Sequence, residues 1–274
     1  DLSDKNSYLF KSWNSDNAPI LPMIQIEHGK DKCFKLWLHT NNISEIVELS
    51  SKKSLETFYD GFESLPVLKN WQNYLDESII NSSKFNLDEK KEAISICLHL
   101  NGDYEISEWS FHLTLVKCSL IVGSDQTDAL LSRKNKTRIT SRLLKPIKEY
   151  IEDLDKILEI STSFRQRHLL EGKVEIPAPL NKIESLDEFF IHNPADSSKG
   201  YFEALNKEDC QTYLSPIIYE ANSIWFKHSN QYNIKSAGYF SNGLDYINAN
   251  EILKYSEFIN DDLELNEDGN LSFS

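Results

Sequence analysis

The sequence predicts an α/β fold, in the α+β sense of a mixed β-sheet with helices packed around it. Three observations carry that prediction. Apolar and polar residues alternate between 87 and 100, run into Asn101-Gly102 and resume from 104 to 115, which is the pattern of a β-hairpin. Two short apolar runs, at 23–26 and 34–38, are bounded by proline, charged or amide residues and read as buried strands. Over 141–170 and again over 213–229, apolar residues recur at the three- and four-residue spacing of amphipathic helices.

Taken in order, the chain opens on Asp1-Leu2-Ser3-Asp4, and Pro19 and Pro22 make the approach to the first buried run loop or extended chain. Met23-Ile24-Gln25-Ile26 is the first clear strand. Phe34-Lys35-Leu36-Trp37-Leu38 is the second, set between Lys30-Asp31-Lys32 and Asn41-Asn42, with a helix start expected near Ser44. Ile46, Val47, Leu49, Leu55 and Phe58 lie among polar neighbours, as in a loop and short helix. After the hairpin, Ile121-Val122-Gly123-Ser124 turns strand into helix, with Ser124 as the expected N-cap. Leu144, Ile147, Ile151, Leu154, Leu158, Ser161 and Phe164 mark the next helix; Gly172 suits its end, and Pro177 and Pro179 block continuation. Leu214, Ile217, Ile218, Ala221, Ile224 and Trp225 form the apolar face of the last helix, and residues 260–274 read as polar, acidic loop.

Composition narrows the function classes. The chain has 274 residues and 40% hydrophobic content, enough for a real core. No apolar run approaches the roughly 18 residues of a membrane span, and the start is polar, unlike a signal peptide. A soluble, cytoplasmic protein is expected, with no membrane or DNA partner. The four cysteines, Cys33, Cys97, Cys118 and Cys210, are scattered without a C-x-x-C pair, which argues for reduced, packed thiols. The formal charge of -14 means that any nucleic-acid contact must gather positive charge locally.

Several stretches resemble one family. Leu36-Trp37-Leu38-His39-Thr40-Asn41-Asn42-Ile43-Ser44 is similar to the "L-W-V-H-I-A-D-V-S" signature of the ribonuclease II family catalytic domain, the RNB domain. The opening Asp1-Leu2-Ser3-Asp4 resembles "D-L-T-D-L", and Ser64-Leu65-Pro66 stands where the family has "Y-L-P". Ile121-Val122-Gly123-Ser124-Asp125-Gln126 takes the place of "L-T-Y-D-Q". The segment from Phe164 through Arg165, His168 and Gly172 is close to "L-R-x-x-R-x-x-x-G-A-L". Ser215-Pro216-Ile217 is not the family's "T-S-P-I-R-R-Y": it lies too early, and Ile218-Tyr219 replaces the arginines. The resemblance covers most of residues 1–230 and leads us to expect one RNB-like domain over 1–274, part of a longer protein. The departures resemble bacterial, cyanobacterial-type members. What it implies is a 3′-to-5′ exoribonuclease that degrades single-stranded RNA with Mg²⁺.

The chemistry departs from that implication. Such hydrolysis needs converging carboxylates to hold the metal that activates water. From Lys11 to Pro22 only Asp16 is acidic, and Asn42 replaces the aspartate of the signature. A lone Asp builds no Mg²⁺ site, so no catalytic or metal residue and no cofactor is expected; Mg²⁺ returns only if other acids substitute. The seven histidines show no H-x-x-x-H pair, and His39 and His99 read as structural. Arg133, Lys134, Lys136, Arg138, Arg142, Lys145 and Lys148 form a basic run. It reads either as a phosphate-binding patch or as a solvated loop and helix start balancing an acidic body. Arg165 matches an arginine of the family's helix-end motif. The RNA-contact candidates are therefore Arg133, Lys134, Lys136, Arg138, Arg142 and Arg165. Trp37, Trp109 and Trp225 are expected to pack in the core rather than stack on bases. Three functions follow: a non-hydrolytic single-stranded RNA binder, an active Mg²⁺-dependent exoribonuclease with relocated acids, or a protein-interaction scaffold that no longer binds RNA.

Overall fold

Ten strands are seen among the described residues. β1 (Ser7–Phe10), β2 (Met23–His28), β3 (Phe34–Asn41), β6 (Lys90–Leu100), β7 (Ile106–Lys117) and β8 (Leu120–Val122) join in one sheet of order β7-β6-β3-β2-β1-β8. β4 (Leu65–Val67) pairs with β5 (Asn70–Gln72), and β9 (Leu263–Leu265) with β10 (Leu271–Phe273), each antiparallel. Every neighbouring pair of the large sheet is antiparallel except β1 with β8, so the sheet is mixed, as expected. The helices are α1 (Glu77–Ser83), α2 (Ser124–Leu131), α3 (Ile151–Leu170) and α4 (Cys210–Gln231), with 3-10 turns at Ile43–Glu45 and Lys145–Tyr150. The computed structural model describes residues 1–11, 21–30, 32–47, 52, 65–67, 70–72, 77–133, 142–171, 210–234, 263–265 and 271–273. Contacts group the chain into two units, Asp1–Leu158 with Pro177–Leu214, and Glu159–Ile176 with Ser215–Ser274.

Burial explains why β2 and β3 are central. Met23 to Ile26 and Leu36 to His39 are buried without a break, so both faces of these strands are covered. Register then sorts the side chains. Ile24 lies beside Leu38, Ile26 beside Leu36, and these beside Ile96 and Leu98 of β6, giving one aliphatic face. The end of the 3-10 turn and the first turn of α3 meet it: Tyr8 meets the ring of Tyr150 edge-on, and its hydroxyl donates to Asp153 at 2.5 Å.

The other face is polar at one end and apolar at the other. Met23, Ala93, Val116 and Cys118 pack with Phe85, and with Leu2 and Leu9 at the margin. Further along, Trp37 Nε1 donates to Glu27 Oε1 at 2.7 Å. His39 Nδ1 lies 2.7 Å from Ser95 Oγ, which lies 2.6 Å from Thr114 Oγ1. Each polar group of β3 thus finds a partner on the next strand, as burial demands. His39 Nε2 and Asn41 Nδ2 are the exceptions, buried without a hydrogen-bond partner.

Local details differ from the sequence reading. The hairpin forms, but β6 starts at Lys90, and the turn is longer than a two-residue Asn-Gly loop. Asn101 Oδ1 accepts from the N–H groups of Asp103 and Glu105, and Tyr104, not Gly102, takes the left-handed conformation at φ 59°. Gly123, not Ser124, is the N-cap of α2, because its N–H is satisfied by the Gln126 side chain at 3.1 Å. The helix expected over 141–170 is interrupted: Ile147 is non-helical at φ -107°, ψ 17°, and regular α-helix begins at Ile151. The last helix runs slightly longer than expected. Residues 260–274 are not all loop, since β9 and β10 pair within them. Trp37 is buried, but Trp109 and Trp225 are 40% and 39% exposed, contrary to the core packing expected of them. Most of residues 44–60, together with Ser64, Gly172, Pro177 and Pro179, lie outside the described residues. Among described cysteines Cys97 and Cys118 are buried free thiols, consistent with the reduced, packed state expected, whereas Cys33 is exposed rather than packed.

Burial lowers the His39 imidazole pKa to about 4. Unfolded, it titrates near 6.5, so between these values the unfolded chain binds more protons and stability falls as pH falls. The loss amounts to roughly 2 kcal/mol by pH 5, at about 1.36 kcal/mol per unit. Urea unfolding at about pH 7.5 and about pH 5 measures it, and His39→Gln should flatten the difference.

Candidate nucleic-acid interface

The basic run divides into residues with different surroundings. Arg133 follows α2, and its Nη2 contacts both carboxylate oxygens of Asp155 on α3. This paired geometry neutralises its charge on the spot. Lys145 and Lys148 lie in the 3-10 turn, where a period of three places them outward while Leu144 and Ile147 go inward. Arg142 is exposed just before them. Lys134, Lys136 and Arg138 lie outside the described residues. Arg165 is half-buried on α3, in the second unit.

Where the resemblance would put a metal, the described donors do not fit one. Lys11 flanks the loop on one side, and Leu21, Pro22 and the fully buried Met23 on the other. Asp16 lies outside the described residues. Asn42 stands at the start of the Ile43–Glu45 turn, and its Oδ1 accepts the Ser44 hydroxyl at 2.7 Å. That oxygen is neutral and engaged, a poor ligand for a hard dication. No group of three or more His, Cys, Asp and Glu side chains suited to a metal is found among the described residues.

Sequence reasoning missed a cluster that joins β1, β2, β3 and α3 in the first unit. Asp153 accepts from Tyr8 and lies 3.0 Å from His28 Nε2. Burial, then the Asp153 contact, pushes the Tyr8 phenol well above its ordinary pKa. Lys156 Nζ sits over the Phe34 ring, 5.4 Å from its centroid, and over Tyr104 at 5.7 Å. No sequence signal marks residues so far apart. In the second unit His168 Nε2 lies 2.7 Å from Glu220 Oε1 and meets Tyr219 edge-on. Arg167 lies over Phe164, one turn back along α3.

The mixed sheet, the helix across it and the departures at Asn42 and the acid-poor loop define a ribonuclease-type α+β fold without that type's usual donors. The chain belongs to the RNB-domain family, whose model matches residues 1–267. Among solved structures, Mycoplasma genitalium RNase R in complex with ribose-methylated single-stranded RNA aligns with a TM-score of 0.52 at 14% identity, over 64% of this chain and 26% of that one. The same enzyme in complex with double-stranded RNA aligns at 0.52 and 15%, over 64% and 29%. Yeast Ssd1, a pseudonuclease, aligns at 0.47 and 16%, over 60% and 18%. Comparison with curated proteins finds no match. The chain spans about a quarter of the RNase R chain in the single-stranded complex. Among the described residues no helix is long and apolar enough to cross a membrane.

With Asp16 the one acid between Lys11 and Pro22, millimolar Mg²⁺ or Mn²⁺ should leave the unfolding midpoint unchanged. A site saturated at 100 times its Kd would instead add about 2.7 kcal/mol. Thermal melts with each metal and with EDTA distinguish the two.

Proposed function

We propose that this chain is a single RNB-like domain that binds single-stranded RNA in the cytoplasm without hydrolysing it. The observation that carries the reading is Asn42, which holds the acid's place in the signature and whose carboxamide oxygen is occupied by Ser44. The acid-poor loop from Lys11 to Pro22 supports it from the sequence side. The fold shared with RNase R, solved with single- and double-stranded RNA, supports nucleic acid as the ligand class. The cations put forward for phosphate contact are the exposed Arg142, Lys145 and Lys148, together with Lys134, Lys136 and Arg138, which belong to the same run in sequence. Arg165 is a further contact. Arg133 takes a supporting role, because Asp155 holds its guanidinium.

A second reading, a protein-interaction scaffold, has its own observation. β7 is an edge strand whose Trp109 and Leu113 (40% and 78% exposed) lie on one face beside the half-exposed Ile94 of β6. An apolar strand at the edge of the described sheet is of the kind that pairs with another chain. The net charge of -14 also favours it over RNA.

End-labelled single-stranded RNA incubated with Mg²⁺ and with Mn²⁺, run on native and denaturing gels, separates the possibilities. The expected result is intact RNA and a shift that weakens as salt rises. Arg142→Ala should lower the slope of log K against log salt by roughly 0.7, one contact's worth on a single strand. Metal-dependent shortening from the 3′ end would sink the non-hydrolytic reading. Intact RNA without a shift at low salt would leave the scaffold.

A further inference from the structure

Among the described residues β7 pairs with β6 alone, so it forms one edge of the large sheet. One contact fixes the direction of its backbone groups. The Leu115 carbonyl accepts the Leu2 N–H at 2.8 Å, so it points away from β6. Along an antiparallel strand the N–H and C=O of successive residues turn alternately toward the neighbour and away from it. Leu113 and Trp109, two and six residues before Leu115, therefore turn theirs outward as well. The one register shift of the β6–β7 ladder falls beyond Trp109, between His99 and Leu100 of β6, so the parity holds through both.

This edge lacks the devices that keep edges apart. From Ile106 to Val116 it has no proline, no lysine and a single charge, Glu108. On one face it presents Trp109 and Leu113, 40% and 78% exposed, beside the half-exposed Ile94 of β6. At one end Leu2 occupies the edge at Leu115, and at the other the register shifts beyond Glu108. The stretch left between is centred midway between Trp109 and Leu113.

We infer that β7 pairs with β7 of a second copy of this chain, antiparallel about a two-fold axis at that midpoint. The inference rests on the edge strand of the scaffold reading, commits it to one occupant and is independent of RNA binding. The register makes the strand its own complement. Trp109 of each copy faces Leu113 of the other, so an indole covers each of these exposed leucines. Each such pair exchanges two backbone hydrogen bonds, because both residues turn their N–H and C=O outward. Ser110 comes beside His112 on the other face, and Glu108 faces Thr114. No two carboxylates meet along the paired strands, which matters for two bodies that each carry a charge of -14. The opposite edge of the sheet, β8, has three residues, so pairing through β7 closes a dimer and does not propagate.

Sedimentation velocity on the full chain over a roughly 100-fold range of concentration should show a monomer–dimer equilibrium. Leu113→Asp and Trp109→Asp should each raise the dimer Kd roughly tenfold or more, since each substitution enters the interface twice. Circular dichroism and melting establish that both variants fold. Register is read by cross-linking in a Cys33→Ser background, which removes the exposed thiol. With oxidised glutathione, Trp109→Cys/Leu113→Cys should form a disulfide-linked dimer, because facing residues of such a pair lie about 5.5 Å apart at Cα. The same two positions within one chain are about 13 Å apart and cannot join. Trp109→Cys alone should stay uncross-linked. A wild type that stays monomeric overturns self-pairing and makes another protein the occupant of the edge. A dimer left intact by folded Leu113→Asp and Trp109→Asp overturns β7 as the contact, and cross-linking through Trp109→Cys alone overturns the register. RNA gel shifts on the same samples test the RNA reading separately.

Discussion

The constraint on which the large sheet depends is the double burial of β3. A strand covered on both faces cannot send its polar side chains to water, so each must be matched on a neighbouring strand. Trp37 meets this through Glu27 on β2, and His39 through Ser95 on β6 and onward to Thr114 on β7. Four strands are therefore locked in register by side chains as well as by backbone ladders. A slip of one residue would turn Trp37 and His39 into the aliphatic layer and Leu36 and Leu38 out of it. The unmatched Nε2 of His39 is the residual cost of placing an imidazole there, and it keeps the ring neutral.

The same economy of partners governs the charges. The chain is strongly acidic, yet several of its cations already have local work. Arg133 is held by Asp155, Lys117 lies 3.6 Å from Asp88, and Lys156 rests over two aromatic rings. Asp153, in the first turn of α3, serves Tyr8 and His28. A shared fold does not carry a shared reaction. RNB membership fixes the scaffold here, while the chemistry turns on which carboxylates remain, and those at the signature and its loop are few.

Much of the fold could be read locally. The runs at 23–26 and 34–38, the alternation on either side of Asn101 and the periodicity of the last helix each mark an element that is found, because burial on a strand or helix imprints its own period. Details settled by competition between neighbouring groups were not legible. Gln126 satisfies Gly123 and displaces Ser124 from the cap; Asn101 organises a turn in which Tyr104 takes the left-handed position. Trp109 and Trp225 carry the right residue type for a core but stand where their strand and helix leave it. The candidate interface was half legible: the basic run is plain in sequence, but the pairing of Arg133 is not.

By itself, the sequence determined the element types, the family resemblance and the poverty of acids around the signature, since all three are properties of short windows of residues. Only the tertiary structure decided the strand order, the parallel pairing of β1 with β8, the cluster of Tyr8, His28 and Asp153, and the ring contacts that join Trp225, His228 and Tyr232. Those depend on which distant segments share a surface and which face of each element is left uncovered. Local periodicity names a face but cannot say what lies against it.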